Sequence, residues 1–285
     1  MIKVHTVETG ALKLDGGAMF GIVPQRIWRH LNPPDAHNMC TWSMRCLILE
    51  TDTRKILIDT GIGTKQDSKF ISFFEPTGQD QFLPNLEIIG VRPEDITDVL
   101  LTHLHFDHVG GALSLDASGQ PAPTFPNARY WTNQQHYRWA MEPNAREAAS
   151  FLKENFVPLQ EMGKWSFIEP SAQGEVDWLD GIRLRFLNGH TEAMMMPIIP
   201  TESHTLVYCA DLIPSSYHIG LPYIMSYDVR PLLTLEEKER LLLEAVERDY
   251  ILVFEHDPVV EAAKIQRSPS GKLVLGESGK LQDLV

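Results

Sequence analysis

Cysteine is scarce in this sequence: Cys40, Cys46 and Cys209 are the only three in 285 residues. An odd number at irregular spacing builds no disulfide framework, and without a Cys-x-x-Cys pair there is no zinc knuckle. We read all three as small buried hydrophobes. Long apolar runs are missing too. No stretch reaches the roughly 18 residues that a bilayer span needs. The opening segment MIKVHTVETGALKLDGG has no continuous apolar core of the secretory kind, which predicts a cytoplasmic address and no membrane partner. Positive charge is in short supply, with 25 basic residues against 38 acidic ones and a net charge of −13. Nucleic-acid binders draw most of their affinity from neutralising phosphates, so this balance argues against nucleic acid as a partner and favours a neutral substrate. Linker-like composition, low-complexity segments and repeats are also absent. That predicts a single α/β domain over residues 1–285, with strands and helices interleaved.

The elements can be placed from pattern. Residues 42–50 (WSMRCLILE) and 55–61 (KILIDTG) predict a hairpin whose second strand ends on Asp59. RPEDITDVLLT predicts a short helix opened by Pro93 and then a strand running into THLHFDHVGG. A strand is expected at 128–132, and helices at 133–143 and 144–162. In the second half, strands are expected at 182–189, leading to His190, at 204–211, ending on Asp211, and at 250–257, carrying His256 as the last strand. Between the last two, residues 233–249 predict a helix with Thr234 as N-cap and Glu237 completing a capping box. The tail beyond residue 265 carries turn residues and predicts a hairpin or a loose end.

Asp59, His103, His105, His190, Asp211 and His256 all fall at or just past a predicted strand end. There a rigid sheet can bring distant parts of a chain together. In an extended segment His103 and His105 share one side, with Asp107 and His108 following in the next turn. Gly110 and Gly111 let backbone pass close by. A lone histidine is more often structural than a ligand, but five of the 11 histidines sit in such positions beside aspartates and glycines. Imidazole and carboxylate donors without thiolate suit zinc, iron, cobalt or manganese in an open site rather than a closed structural zinc.

THLHFDHVGG resembles the HxHxDH signature of the metallo-β-lactamase-fold hydrolases, and four further motifs resemble those of the same family in order: LIDTG with Asp59, NGHT with His190, CAD with Asp211 and FEHD with His256. The resemblance implies a four-layered αββα sandwich and two divalent ions, zinc first among the candidates. One ion would sit on His103, His105 and His190, the other on Asp107, His108 and His256. Asp211 would bridge them, and Asp59 would orient the ligand loop by hydrogen bonding. The family's usual Thr-Pro-Gly-His turn after the third histidine is replaced here by GHTEAMMMPII, whose Met194–Met196 run is expected to fill core.

The metals imply hydrolysis, and the surrounding loops suggest the substrate. Residues 14–35 and 210–231 resemble the corresponding loops of quorum-quenching N-acyl homoserine lactonases and related organophosphate hydrolases. A small-molecule ester or lactone is therefore the expected substrate, opened by a metal-held hydroxide. Met19, Phe20, Ile22 and Trp28 are candidates to line an acyl channel. Tyr217, His218 and Tyr223 are candidates to donate to the carbonyl oxygen. Asp107 is the candidate to pass a proton to the leaving alkoxide, and Asp211 completes the catalytic set. The alternatives on the same metals are a glyoxalase II-like thioesterase and a phosphotriesterase or phosphodiesterase. A homodimer is the assembly common among such relatives.

Overall fold

In the computed structural model, which describes residues 1–285, the chain divides into two compact units: Met1–Ala11 with Met44–Gln173, and Leu12–Ser43 with Gly174–Val285. Two of its three crossings fall inside long strands, β1 (Lys3–Asp15) and β2 (Met39–Glu50), and the third falls in the turn at residues 173–174. Helical segments in chain order are α1 (Gly16–Phe20), α2 (Gln25–Trp28), α3 (Ser68–Phe74), α4 (Phe82–Ile88), α5 (Phe106–Val109), α6 (Gln134–Met141), α7 (Val157–Glu161) and α8 (Pro231–Arg248). No helix is long and apolar enough to cross a membrane.

The first unit is organised on a six-stranded sheet of order β1-β2-β3-β4-β7-β8, with β3 at Lys55–Ile58, β4 at Asp98–Leu100, β7 at Arg129–Asn133 and β8 at Trp165–Ile168. Strands β2 and β3 form the expected antiparallel hairpin, Leu47 opposite Ile58, whereas β3, β4, β7 and β8 run parallel. Parallel strands are covered on both faces, and β3 and β4 accordingly carry almost unbroken apolar sequence. A small ribbon, β5 (Leu113–Leu115) with β6 (Pro121–Pro123), follows the histidine motif. The expected helix over 144–162 does not form. Residues 144–152 make turns, then come a 3-10 turn at Lys153–Asn155 and the short α7. Pro158 accounts for the C-terminal part: it is tolerated in a first helical turn but breaks a helix interior, so a helix can start at Val157 but cannot run through it. The apolar residues that suggested helical spacing, Phe151, Phe156 and Leu159, are buried in the core of this unit.

The second unit carries a seven-stranded sheet of order β15-β14-β13-β12-β11-β10-β9. Its strands are β9 (Glu175–Asp177), β10 (Arg183–Leu187), β11 (Met194–Pro200), β12 (Thr205–Tyr208), β13 (Ile251–Val253), β14 (Ala262–Arg267) and β15 (Leu273–Gly279). Only β12 and β13 are parallel, and α8 lies between them in sequence as their crossover. Met194, Met195 and Met196 are fully buried in β11, the core-filling role expected of them. The strand around residues 251–253 is not the last, because the tail returns as β14 and β15. Helix α8 starts at Pro231 rather than 233, with Pro at its first position and Arg230 as N-cap. The capping box expected from Thr234 and Glu237 is therefore not made, since both lie inside the helix. The three cysteines are unbridged and buried as expected, and burial pushes the Cys40 thiol up to about 11.

Candidate metal centre

In the first unit the chain leaves β4 and enters the histidine motif. Asp59, at the end of β3, is buried with a left-handed φ of 59°. That conformation costs an L-residue about 1–2 kcal/mol, and strain of this kind gathers at functional sites. Its carboxylate oxygens accept from the Thr102 amide at 2.8 Å and the Thr102 hydroxyl at 2.7 Å, and one lies 3.2 Å from His108 Nδ1. Asp59 thus fixes both ends of the motif. His103 Nε2 lies 3.1 Å from His105 Nδ1, and His108 Nε2 lies 3.9 Å from Asp107 Oδ1. Gly110 and Gly111 serve as expected: a Cβ at either would strike the backbone oxygen of Ile62 or Thr60. Lys65 donates to the Gly110 carbonyl from the same side.

Two supports of this motif escaped the sequence reading. His136, from α6, accepts the Leu104 amide through Nε2 at 2.8 Å, holding the backbone between the two histidines. Glu147 sits 3.6 Å from His105 Nε2 and also accepts from Trp139 Nε1 and Asn144. Neither residue lies in a motif, and Glu147 falls within the segment read as helix. The first unit also holds an aromatic cluster that was not foreseen. Phe106 packs against Phe70 at 5.0 Å and Phe74 at 4.6 Å between ring centroids. Although α3 has the sequence SKFISFF, none of its residues is buried. Phe70, Ile71 and Phe74 are half-buried, and Phe73 is 59% exposed.

In the second unit His190, Asp211 and His256 come together. His190 Nε2 is 3.2 Å from Asp211 Oδ2, and His256 Nε2 is 3.0 Å from Asp211 Oδ1. Each oxygen of one carboxylate thus faces a different imidazole. The far nitrogens are tied as well: His190 Nδ1 to Asp228 Oδ1 at 2.8 Å, and His256 Nδ1–H donating to the Ser43 carbonyl at 2.8 Å. Such ties fix the tautomer and turn the Nε2 lone pair inward. The residue before Asp211, Ala210, takes a φ of 45°. Glu255, another residue not singled out from sequence, offers a buried carboxylate oxygen within 4.8 Å of ligand atoms of Asp211 and His256.

The loops flagged on either side pack on each other in this unit. The Ser226 amide donates to Ala18 O at 2.7 Å. His218 stacks on Phe20, with rings 5.1 Å apart and 3° from parallel, and Phe20 stacks on Trp28. His218 is 1% exposed, with Nε2 3.0 Å from the Met19 carbonyl and Nδ1 2.7 Å from Ser215 Oγ. Both ring nitrogens are therefore spent within the protein, and burial pulls its pKa down to about 3. That leaves no ring nitrogen of His218 for a substrate carbonyl, while Tyr217 and Tyr223 are half-buried. Tyr217 is pushed up to about 12, first by burial and then by Asp257, so its phenol keeps its proton. Tyr223 lies edge-on to Phe20 at 6.2 Å. Met19, Phe20 and Trp28 are buried packing residues rather than an open channel lining, while Ile22 is 88% exposed.

Buried imidazoles and carboxylates with their outward atoms fixed, and no thiolate among them, form a donor set that fits divalent metal ions.

Comparison with known proteins agrees with this chemistry. Residues 45–256 match the family model of the metallo-beta-lactamase superfamily. An N-acyl homoserine lactonase of Bacillus cereus is 26% identical over 270 residues, covering 90% of this chain and 93% of the relative. A probable metal-dependent hydrolase from Staphylococcus aureus superposes with a TM-score of 0.85 at 27% identity, over 97% of both chains. The dizinc quorum-quenching lactonase AidC, solved with a product homoserine, superposes with a TM-score of 0.78 at 18% identity, over 98% of this chain and 95% of AidC. At that identity the likeness to AidC is one of fold.

Proposed function

This chain belongs to the metallo-β-lactamase superfamily, and on that footing we propose that it is a dinuclear metal-dependent lactonase that opens N-acyl homoserine lactones. The observation that carries the two-metal reading is Asp211, whose two oxygens face His190 and His256 separately. In this reading His103, His105 and His190 would hold one ion and Asp107, His108 and His256 the other, with Asp211 serving both. Zinc is the proposed metal. When bound, the ions polarise the ester carbonyl and activate the attacking water.

The chain's own residues supply the rest. Asp59, Asp228 and the Ser43 carbonyl aim the imidazoles, so little reorganisation remains for the reaction. Tyr217 or Tyr223 donates a hydrogen bond to the carbonyl oxygen as negative charge grows on it. Asp107 carries the proton to the leaving alkoxide. The half-buried Phe70 and Phe74, packed on Phe106 in the histidine motif, offer an aromatic face suited to an acyl chain. The Bacillus cereus relative described as an N-acyl homoserine lactonase supports this substrate class.

The test is a substrate panel of acyl homoserine lactones, thioesters, phosphotriesters and phosphodiesters, run on protein carrying two ions per chain. Lactones should lead by at least tenfold in kcat/KM. An Asp211→Asn protein that kept two ions and full rate would sink the two-metal reading.

A further inference from the structure

Helix α8 contains a lysine that the proposed chemistry does not use. Lys238 is 0% exposed, and its Nζ donates to three backbone carbonyls: His218 at 3.1 Å, Gly220 at 3.0 Å and Tyr223 at 2.7 Å. An ammonium has three N–H donors and no acceptor, so all its capacity goes to one loop. We propose that Lys238 is a positioning residue that fixes the 216–223 loop and with it the substrate-facing tyrosines, an inference that rests on the lactonase reading for its substrate.

Three observations carry this. First, the loop has little structure of its own. Between the 3-10 turn at Ala210–Leu212 and α8 there is only the turn at Ser216–His218, and a segment of this length needs external ties to hold one shape. Second, burying an ammonium is costly, and an apolar side chain would fill the same space without that cost. Burial pulls the pKa of Lys238 down to about 7. A buried charge that spends every donor on one loop specifies its conformation rather than simply filling the core. Third, the preceding residue does the same for the metal-ligand loop. Glu237 accepts the amides of Asn188 at 2.8 Å and Gly189 at 3.0 Å, just ahead of His190. Arg230, at the same helix's N-terminus, donates to the Asn188 carbonyl at 2.7 Å, and a Cβ on Gly189 would strike Thr234. Adjacent residues of α8 therefore hold His190 and the tyrosine loop to one rigid element.

The test compares Lys238→Met and Lys238→Gln with wild type, all metal-loaded, by hydrogen exchange and steady-state kinetics. Wild-type amides at 218, 219 and 223 should exchange as slowly as those of α8. The Met variant should speed their exchange at least about tenfold while the β10–β11 amides stay protected, with the amide-bearing Gln variant intermediate. Metal content should stay at the wild-type value. kcat should fall about tenfold in the Met variant with KM changed less than about threefold, as expected when a donor that acts on the charge developing in the transition state is no longer held in place. Unchanged loop exchange in both variants, or a rise in KM with kcat constant, would overturn the proposal. If neither variant folds, rapid exchange of the wild-type loop would overturn it and slow exchange would uphold it. Failure of wild type to open any lactone would sink the substrate reading instead, and the exchange comparison would still decide the role of Lys238.

Discussion

At the scale of the residue, the centre depends on side chains that touch no substrate. Asp59 is the clearest: one carboxylate accepts two hydrogen bonds from Thr102 and faces His108. An Asp59→Asn change keeps the size and the tolerance for a left-handed backbone but puts an amide where one of those donors expects an acceptor. Metal affinity measured by chelator competition should fall about 10–100-fold, with the fold intact. His218 gives a prediction in pH. Its imidazole is folded in neutral form with a pKa near 3, against about 6.5 when unfolded. Between those values the unfolded chain binds a proton that the folded chain does not, so stability is full above pH 6.5 and declines as pH drops through the window. His218→Phe keeps the stacking on Phe20 and removes that proton. Its unfolding midpoint should be lower at pH 7 and should fall less steeply between pH 6.5 and 4; an identical slope would refute the account.

At the scale of the element, much was legible where backbone and chemistry share a short stretch. The hairpin of β2 and β3, the strand entering THLHFDHVGG and the sites of His190, Asp211 and His256 could all be read from strand patterns ending in ligand residues. What could not be read depended on partners far along the chain. Glu237 looked like a capping residue because its spacing from Thr234 allowed it, but a carboxylate two turns from Pro231 is better used on the amides of residues 188 and 189. The apolar residues at 151, 156 and 159 mimicked a helix because a core contact and a helical stripe look alike in sequence. Helix α3 went unnoticed because it is only seven residues long and its apolar face, Phe70, Ile71 and Phe74, is interrupted by the exposed Phe73. If that face receives an acyl chain, Phe74→Ala should lower kcat/KM for a ten-carbon acyl lactone by about tenfold, and for a four-carbon one by less than threefold. Equal losses for both would argue that α3 serves only the fold.

At the scale of the whole molecule, the chain has the α/β metallo-β-lactamase fold that its ordered motifs predicted. The division into two units was hidden because two of its three crossings lie within β1 and β2. The net charge of −13 suits a neutral substrate whose product is an anion. For a neutral lactone, kcat/KM should change less than about twofold between 0.05 and 0.5 M salt, since no long-range attraction is there to be screened. Steep salt dependence would point to a charged substrate. Buried imidazoles and carboxylates that lack their ions should also leave the fold less stable. Stripping the ions should lower the thermal midpoint by about 10 °C or more, because ions that bind only the folded chain stabilise it by mass action.

The most direct test of the central claim is the initial rate of ring opening of N-acyl homoserine lactones by protein carrying two zinc ions per chain, measured beside a thioester and a phosphotriester. The account predicts a kcat/KM for the lactone in the ordinary enzymatic range, about 10⁴ M⁻¹s⁻¹ or more, and at least tenfold above the other two. A phosphotriester or thioester hydrolysed tenfold faster than every lactone tried would contradict it.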